Sequence, residues 1–137
     1  MTYLVDTDYV VDYLKGQRNA VALLDPLLPE GLAISIITFA EVYEGIYYDD
    51  KRPQHEQGLR QFLQGVRLLD VTRPIARHCA LIRGQLRAQP QGKALVQPKD
   101  NYDLFIAATA LHHHLTLVTR NVKDYERIPH LDIYQAD

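Results

Sequence analysis

Short apolar runs alternate along the chain with longer segments whose apolar residues recur at helical spacing. The short runs predict four buried strands, at residues 3–5, 32–37, 66–71 and 115–118. The longer segments predict six helices, over residues 9–14, 19–24, 38–48, 55–63, 74–87 and 103–111. Prolines and a glycine make residues 88–99 a predicted loop, and residues 133–134 are a predicted edge strand. This alternation predicts an α/β fold with one central, mostly parallel sheet covered by helices.

Composition narrows the class of protein. A chain of 137 residues with 47% hydrophobic content is typical of a single globular domain, here residues 1–137. No apolar run approaches the roughly 20 residues that a membrane helix needs, and no basic segment precedes the first strand, so we expect neither a membrane association nor a secretory signal. The single cysteine, Cys79, excludes an internal disulfide and suits a reducing, cytoplasmic location. A net charge of -2 excludes a dedicated nucleic-acid coat protein, so any RNA contact must use a local site.

Three carboxylates occupy comparable places beside the predicted strands. Asp6 ends the first strand, Glu41 lies near the start of the helix after the second, and Asp103 opens the helix before the fourth. In an open α/β sheet these places converge on one edge, where ligands bind. Clustered carboxylates raise one another's pKa unless a cation is present, and Mg²⁺ is a hard cation that suits them. Such an ion can activate water for attack on a phosphodiester.

Each of these acids also has a purely structural interpretation. Glu41 and Thr38 have the spacing of a capping box, Asp103 can favour a helix dipole, and Asp6 can form a turn at a strand end. The triplet His112, His113 and His114 predicts no zinc site, because three successive helical residues point in different directions.

Four segments surround the candidate site residues: LVDTDYVVDYL around Asp6, ITFAEVYEGI around Glu41, YDLFIAATAL around Asp103 and LTLVTRNVKDYERIPHL around Asn121 and Asp124. Together, and in this order, they resemble the PIN-domain ribonucleases, specifically the VapC-like toxins of toxin–antitoxin pairs. The resemblance covers nearly the whole chain. It implies a three-layer α/β/α sandwich, dependence on Mg²⁺ or Mn²⁺, endonucleolytic RNA cleavage, a homodimer, and inhibition by a cognate antitoxin protein.

The resemblance also implies which residues form the site. The acids that match Asp6, Glu41 and Asp103 bind metal in such toxins, and the family often has a fourth acid where Asn121 stands here. An asparagine oxygen can coordinate without bringing charge, and Asp124 is close enough in sequence to complete a catalytic set.

Basic and aromatic side chains near these acids suggest partner surfaces. Arg120 and Lys123 could contact RNA phosphates, and Arg87 and Lys93 could extend a basic rim. An antitoxin arginine could plug the acidic site, with the rest of its segment lying along the helices at residues 9–14 and 42–48. Three tyrosines could supply aromatic contacts there: Tyr43, Tyr47 and Tyr48.

Two other functions fit parts of the sequence. Asp6 and Asp8 after an apolar strand also match the nucleophile and acid/base of haloacid dehalogenase-like phosphatases, but that interpretation leaves Glu41 and Asp103 without a role. Alternatively, the chain is a non-catalytic PIN-like binding module, in which Asn121 marks the loss of a ligand. Trapping of a phosphate analogue on Asp6 tests the first alternative, and metal-dependent cleavage tests the second.

Overall fold

A computed structural model describes residues 2–135 of the chain, apart from the Leu95 side chain. Its four strands are β1 (Tyr3–Val5), β2 (Leu32–Ser35), β3 (Val66–Leu69) and β4 (Thr116–Val118). They form one sheet in the order β3–β2–β1–β4, and every neighbouring pair is parallel. The helices that connect and cover the strands are α1 (Thr7–Leu14), α2 (Arg18–Leu24), α3 (Ile36–Tyr47), α4 (Arg52–Gln64), α5 (Arg73–Arg87), α6 (Gly92–Leu95), α7 (Asn101–His112) and α8 (Val122–Tyr125).

The two faces of the sheet pack against different helices. Leu4 of β1 is fully buried in a core that includes residues of α5 and α7, whereas its neighbour Val5 is fully buried in a core built from α1 to α4. Successive strand residues point to opposite faces, so β1 needs an apolar residue at both positions. The predicted three-layer α/β/α sandwich with a parallel sheet is therefore confirmed.

The strand order places a crevice between β1 and β4. From β1 the chain moves outward through β2 and β3 on one side, and it returns to the other side of β1 only with β4. Such a reversal opens a space beyond the carboxyl ends of the two strands. The predicted edge strand contributes a single parallel bridge from Ile133 to Leu117, next to a hydrogen bond from the Tyr134 amide to the Leu117 carbonyl at 2.8 Å.

Several predicted boundaries are wrong. The second strand ends at Ser35, whose side chain accepts a hydrogen bond from the Ile37 amide and caps α3. Thr38 therefore lies inside the helix and is buried, so the predicted capping box with Glu41 does not form. Ser and Thr are both good helix caps, and the sequence alone does not tell which one ends the strand. Likewise β3 ends at Leu69, and the predicted loop at residues 88–99 contains α6.

Candidate active site

Asp6 is the most enclosed acid of the crevice. It follows β1 as the cap of α1, and its side chain is only 3% exposed. The Thr119 hydroxyl donates to Oδ2 at 2.7 Å, while the Thr7 amide at 2.8 Å and the Tyr125 hydroxyl at 3.2 Å donate to Oδ1. Burial raises the pKa of Asp6, and these hydrogen bonds oppose the rise. The three hydrogen bonds favour the ionised form of the carboxylate and hold it in one orientation.

Glu41 reaches the crevice from the second turn of α3. The Thr7 hydroxyl lies 2.7 Å from its Oε1 and 3.0 Å from the Thr38 hydroxyl oxygen, so Thr7 joins the start of α1 to α3. Burial raises the pKa of Glu41, and the negative charges of Asp6 and Asp8 add to the rise. The carboxylate is thus oriented by tertiary contacts, which its helix alone does not provide.

Asp103 is the third residue of α7 and faces the same acids. Burial raises its pKa from 3.8 to about 6, and the charges of Asp6, Asp124 and Glu41 contribute to this rise. A hydrogen bond with Tyr125 acts in the opposite direction. Because these acids perturb one another, Asp6, Glu41 and Asp103 form one electrostatic cluster, as the position of each in the sequence predicted.

The cluster fits a hard divalent cation by its chemistry. Its donors are carboxylate oxygens, and among residues 2–135 no Lys, Arg or His forms an ion pair with these three acids. Within the same described range, however, no three acidic, His or Cys side chains surround one point closely enough to hold an ion together. Mg²⁺ commonly takes only one or two protein carboxylates and completes its shell with water or substrate oxygens, so the donor set remains suitable.

The loop after β4 places its polar residues differently from the prediction. The Asn121 amide Nδ2 donates to Asp8 Oδ2 at 3.2 Å, so this side chain contacts the outer acid of α1 and not the three clustered acids. Asp124 is exposed on α8, and its charge is felt by Asp103. Lys123 is exposed as expected for an RNA contact.

Arg120 is tied to α1. Its guanidinium pairs with Asp12 and lies 4.9 Å from the centre of the Tyr9 ring, as a cation–π contact. An RNA phosphate could reach Arg120 only in competition with Asp12.

Three site residues were not predicted from the sequence as carboxylate partners. Thr119 and Tyr125 both donate to Asp6, and Thr7 donates to Glu41. Tyr125 is fully buried, and burial together with the charges of Asp6 and Asp103 raises its pKa, so its hydroxyl remains a donor. The sequence signal that could have indicated this role of Tyr125 was its position about one turn after the polar loop that follows β4.

A buried ion pair fixes the start of α7 to the segment after α8. Arg127 lies 3.2 Å from Asp100, the residue that precedes α7, and both side chains are largely enclosed. The Gln97 amide also donates to Asp100 at 3.0 Å. These contacts hold the helix turn that carries Asp103 close to Tyr125.

The chain matches the model of the PIN domain over residues 3–131. It belongs to the PIN-domain family. A ribonuclease named VapC2 from Rickettsia felis is 32% identical over all of this chain and 99% of its own length. The crystal structure of VapBC2 from Rickettsia felis, bound to a DNA fragment from its promoter, contains a chain that is 31% identical, with full coverage of both chains and a TM-score of 0.79. A chain of the DNA-bound VapBC from Salmonella typhimurium is 25% identical, covers 98% of this chain and 97% of its own, and gives a TM-score of 0.83.

Membership of this family confirms the resemblance and removes the basis for the phosphatase alternative. Asp8, the acid/base of that alternative, is exposed and accepts a hydrogen bond from Asn121. Within the described residues, the histidine triplet, which starts at the last residue of α7, belongs to no group of three side chains that could hold a metal ion. No helix in residues 2–135 combines the length and apolar character that crossing a membrane requires.

Proposed function

We propose that this PIN domain is a metal-dependent endoribonuclease and the toxin of a VapBC-type toxin–antitoxin pair. The observation that carries the proposal is the acid cluster of Asp6, Glu41 and Asp103 in the crevice between β1 and β4. The name of its Rickettsia relative, a ribonuclease that matches the whole chain, supplies the substrate class. Phosphodiesters bring anionic oxygens, which repel these acids, and a cation between acid and phosphate would offset that repulsion.

The residues of the chain have distinct tasks in this reaction. Asp6, Glu41 and Asp103 would hold Mg²⁺ or Mn²⁺, with Asn121 or Asp124 as further ligands from the edge. When bound, the ion supplies a water nucleophile of lowered pKa and neutralises charge at the phosphate. Thr119 and Tyr125 orient Asp6, and Thr7 orients Glu41, so that neither carboxylate must reorganise when substrate arrives.

This chain has a surface groove that suits an antitoxin segment. Helices α1, α3 and α4 enclose a groove of about 200 Å³ that begins at Glu41. Its floor is apolar, and its lining includes Val11, Leu14, Val42 and Ile46. An amphipathic antitoxin segment would cover this floor and place an arginine against Glu41, where its planar fork can pair with a carboxylate.

The tyrosines expected at this surface are placed elsewhere. Tyr43 donates to Glu56, and Tyr47 is stacked by Arg52 at 5.0 Å. Neither they nor Tyr48 line the groove. The partner would therefore be held mainly by aliphatic contacts. Homodimer formation stays a prediction, and light scattering during size-exclusion chromatography measures it directly.

Incubation of the purified chain with total RNA tests the function. We expect internal cleavage with Mg²⁺ or Mn²⁺, none in EDTA, and restored cleavage when excess Mg²⁺ is added back. Asp103→Asn should remove activity, because it deletes a ligand charge without deleting volume, whereas the exposed Asp50→Asn should retain it. Cleavage that persists in EDTA would contradict metal dependence, and a chain inactive with every divalent ion would favour the non-catalytic binding module.

The toxin role has a separate test in cells. Expression of the chain alone should arrest growth, and co-expression with the small neighbouring reading frame should restore growth and yield a co-purifying complex. If cells that express the chain alone grow normally and no partner co-purifies, the ribonuclease proposal stands but the toxin assignment is lost.

A further inference from the structure

Helix α5 carries a row of arginines on its outward face. At 3.6 residues per turn, four arginines fall within about 120° of the helix circumference; they are Arg73, Arg77, Arg83 and Arg87. The buried residues lie on the other side: Ile75, Cys79, Ile82 and Leu86. Between the arginines the exposed positions are small: Ala76, Ala80 and Gly84. Arg73, Arg77 and Arg87 are exposed and Arg83 is half-buried, with little side-chain bulk between the four charges of this arginine row.

Charge is strongly segregated along the chain around this row. Residues 71–99 contain six of the fifteen Lys and Arg residues and none of the seventeen Asp and Glu residues. Residues 1–64, which form the antitoxin groove, contain ten of the acids and only five of the bases. The net charge of -2 thus conceals one basic and one acidic region, a pattern that predicts two partners of opposite charge.

The arginine row does not serve the stability of its own helix. Among the described residues, no carboxylate lies within ion-pair distance of any of the four. Arg73 with Arg77, and Arg83 with Arg87, are like charges four residues apart, a spacing that destabilises a helix. A helix under selection for stability alone would place an acid at one position of each pair.

The row leads to the acid cluster. Arg83 Nη1 donates to Asn101 Oδ1 at 2.5 Å, and Asn101 begins α7 only two residues before Asp103. Beyond the end of α5 the basic surface continues around an open cleft lined by Arg87, Lys93 and Gln97. A ligand lying along α5 would therefore arrive at the helix turn that carries Asp103.

We propose that the arginine row, extended by Lys93 and Lys99, binds the phosphates of single-stranded RNA and directs the strand into the acid cluster. This inference rests on the proposed ribonuclease function and assigns its substrate to the flank opposite the antitoxin groove. The row spans about 21 Å at 1.5 Å per residue, a length that suits an extended polyanion. A twofold contact with a second copy fits poorly, because it would bring two arginine rows together.

Salt-dependent RNA binding tests the row independently of cleavage. Arg77→Gln/Arg87→Gln is introduced into Asp103→Asn, and a fluorescein-labelled 12-nucleotide oligouridine is titrated at 50–300 mM KCl by fluorescence anisotropy. Each lost phosphate contact lowers the slope of log K against log salt by about 0.7 for a single strand, so the pair should lower it by about 1.4. By the same relation, the variant should bind the oligouridine roughly 25-fold more weakly at 0.1 M KCl. Arg18→Gln/Arg60→Gln, with the same charge change on α2 and α4, is the matched control and should leave the slope unchanged.

The possible results separate the inference from the proposed function. If the chain cleaves RNA but its salt slope is the same with and without Arg77 and Arg87, the proposed function stands and the inference is overturned. If binding is too weak to titrate, the salt dependence of kcat/KM gives the same slope. Equal weakening of RNA binding in the control variant also overturns the inference, because the loss of net charge would then explain the effect without the arginine row. If the variant loses its oligomeric state or its antitoxin instead of RNA, the row is a protein interface. Absence of both cleavage and RNA binding removes function and inference together.

Discussion

The cost of burying Asp103, and of holding it beside the other acids, can be measured by removing its charge. In Asp103→Asn the side chain keeps its shape, but it no longer ionises near Asp6 and Glu41. The pKa of Asp103 rises from 3.8 to about 6, which at 1.36 kcal/mol per unit corresponds to roughly 3 kcal/mol. Because the side chain is partly exposed, solvent screening reduces this to about 1–2 kcal/mol. We therefore expect Asp103→Asn to raise the free energy of unfolding of the metal-free protein by that amount at pH 7.5.

The pH dependence fixes the sign of this effect. Below about pH 3 the carboxyl is protonated in both the folded and the unfolded state, so wild type and variant should be equally stable. Between pH 4 and 6 the folded protein retains the proton more tightly, so the wild type loses stability as pH rises, and the variant lacks this contribution. Above pH 6 the difference should be constant.

Urea unfolding in EDTA from pH 4 to 8 measures the difference, and Asp50→Asn, an exposed control, should stay within about 0.5 kcal/mol of wild type. Excess Mg²⁺ should stabilise the wild type and do little for Asp103→Asn, so that the order of stability reverses. A variant that is less stable than wild type at pH 7.5 in EDTA would refute the electrostatic reasoning, whatever its activity.

Three other changes examine how the site is supported. Asn121→Asp replaces the amide that donates to Asp8 at 3.2 Å with a second carboxylate. It should lower stability in EDTA and enlarge the stabilisation by Mg²⁺, as measured by differential scanning fluorimetry. Asp124→Ala should reduce cleavage without abolishing it, and complete loss would make Asp124 a direct ligand. Tyr125→Phe keeps the buried ring but removes the donor to Asp6, so urea unfolding should show a loss of about 1–2 kcal/mol at pH 7.5, and an unchanged value would mean that the hydroxyl is not used.

The sequence predicted the convergence of the acids because that convergence depends only on topology. Parallel strands linked by helices bring their carboxyl ends to one edge, so Asp6 and Glu41 had to approach each other. The contacts that orient the acids could not be predicted in the same way. Thr119 and Tyr125 reach Asp6 across more than 110 residues of chain, and local pattern carries no information about such pairs.

The placement of Arg120 illustrates the same limit. Its position after β4 suggested a free cation beside the site, and the prediction of an RNA contact was drawn from sequence proximity alone. Its actual neighbours, Tyr9 and Asp12, lie on α1, one and two helical turns from the first strand. The packing of the loop against α1 decides which nearby acid Arg120 pairs with, and that packing is a property of the whole fold.

The position of β4 determines when the acid cluster can form during synthesis. β1 is flanked on one side by β4, whose residues emerge from the ribosome more than 100 positions later. At about 5–20 residues per second, several seconds pass between the synthesis of Asp6 and that of its partner Thr119. Asp6 stays beside an unpaired strand edge until then, and closing so long a loop is itself a slow step. The cluster is therefore among the last features that a nascent chain acquires, and truncated chains lack it.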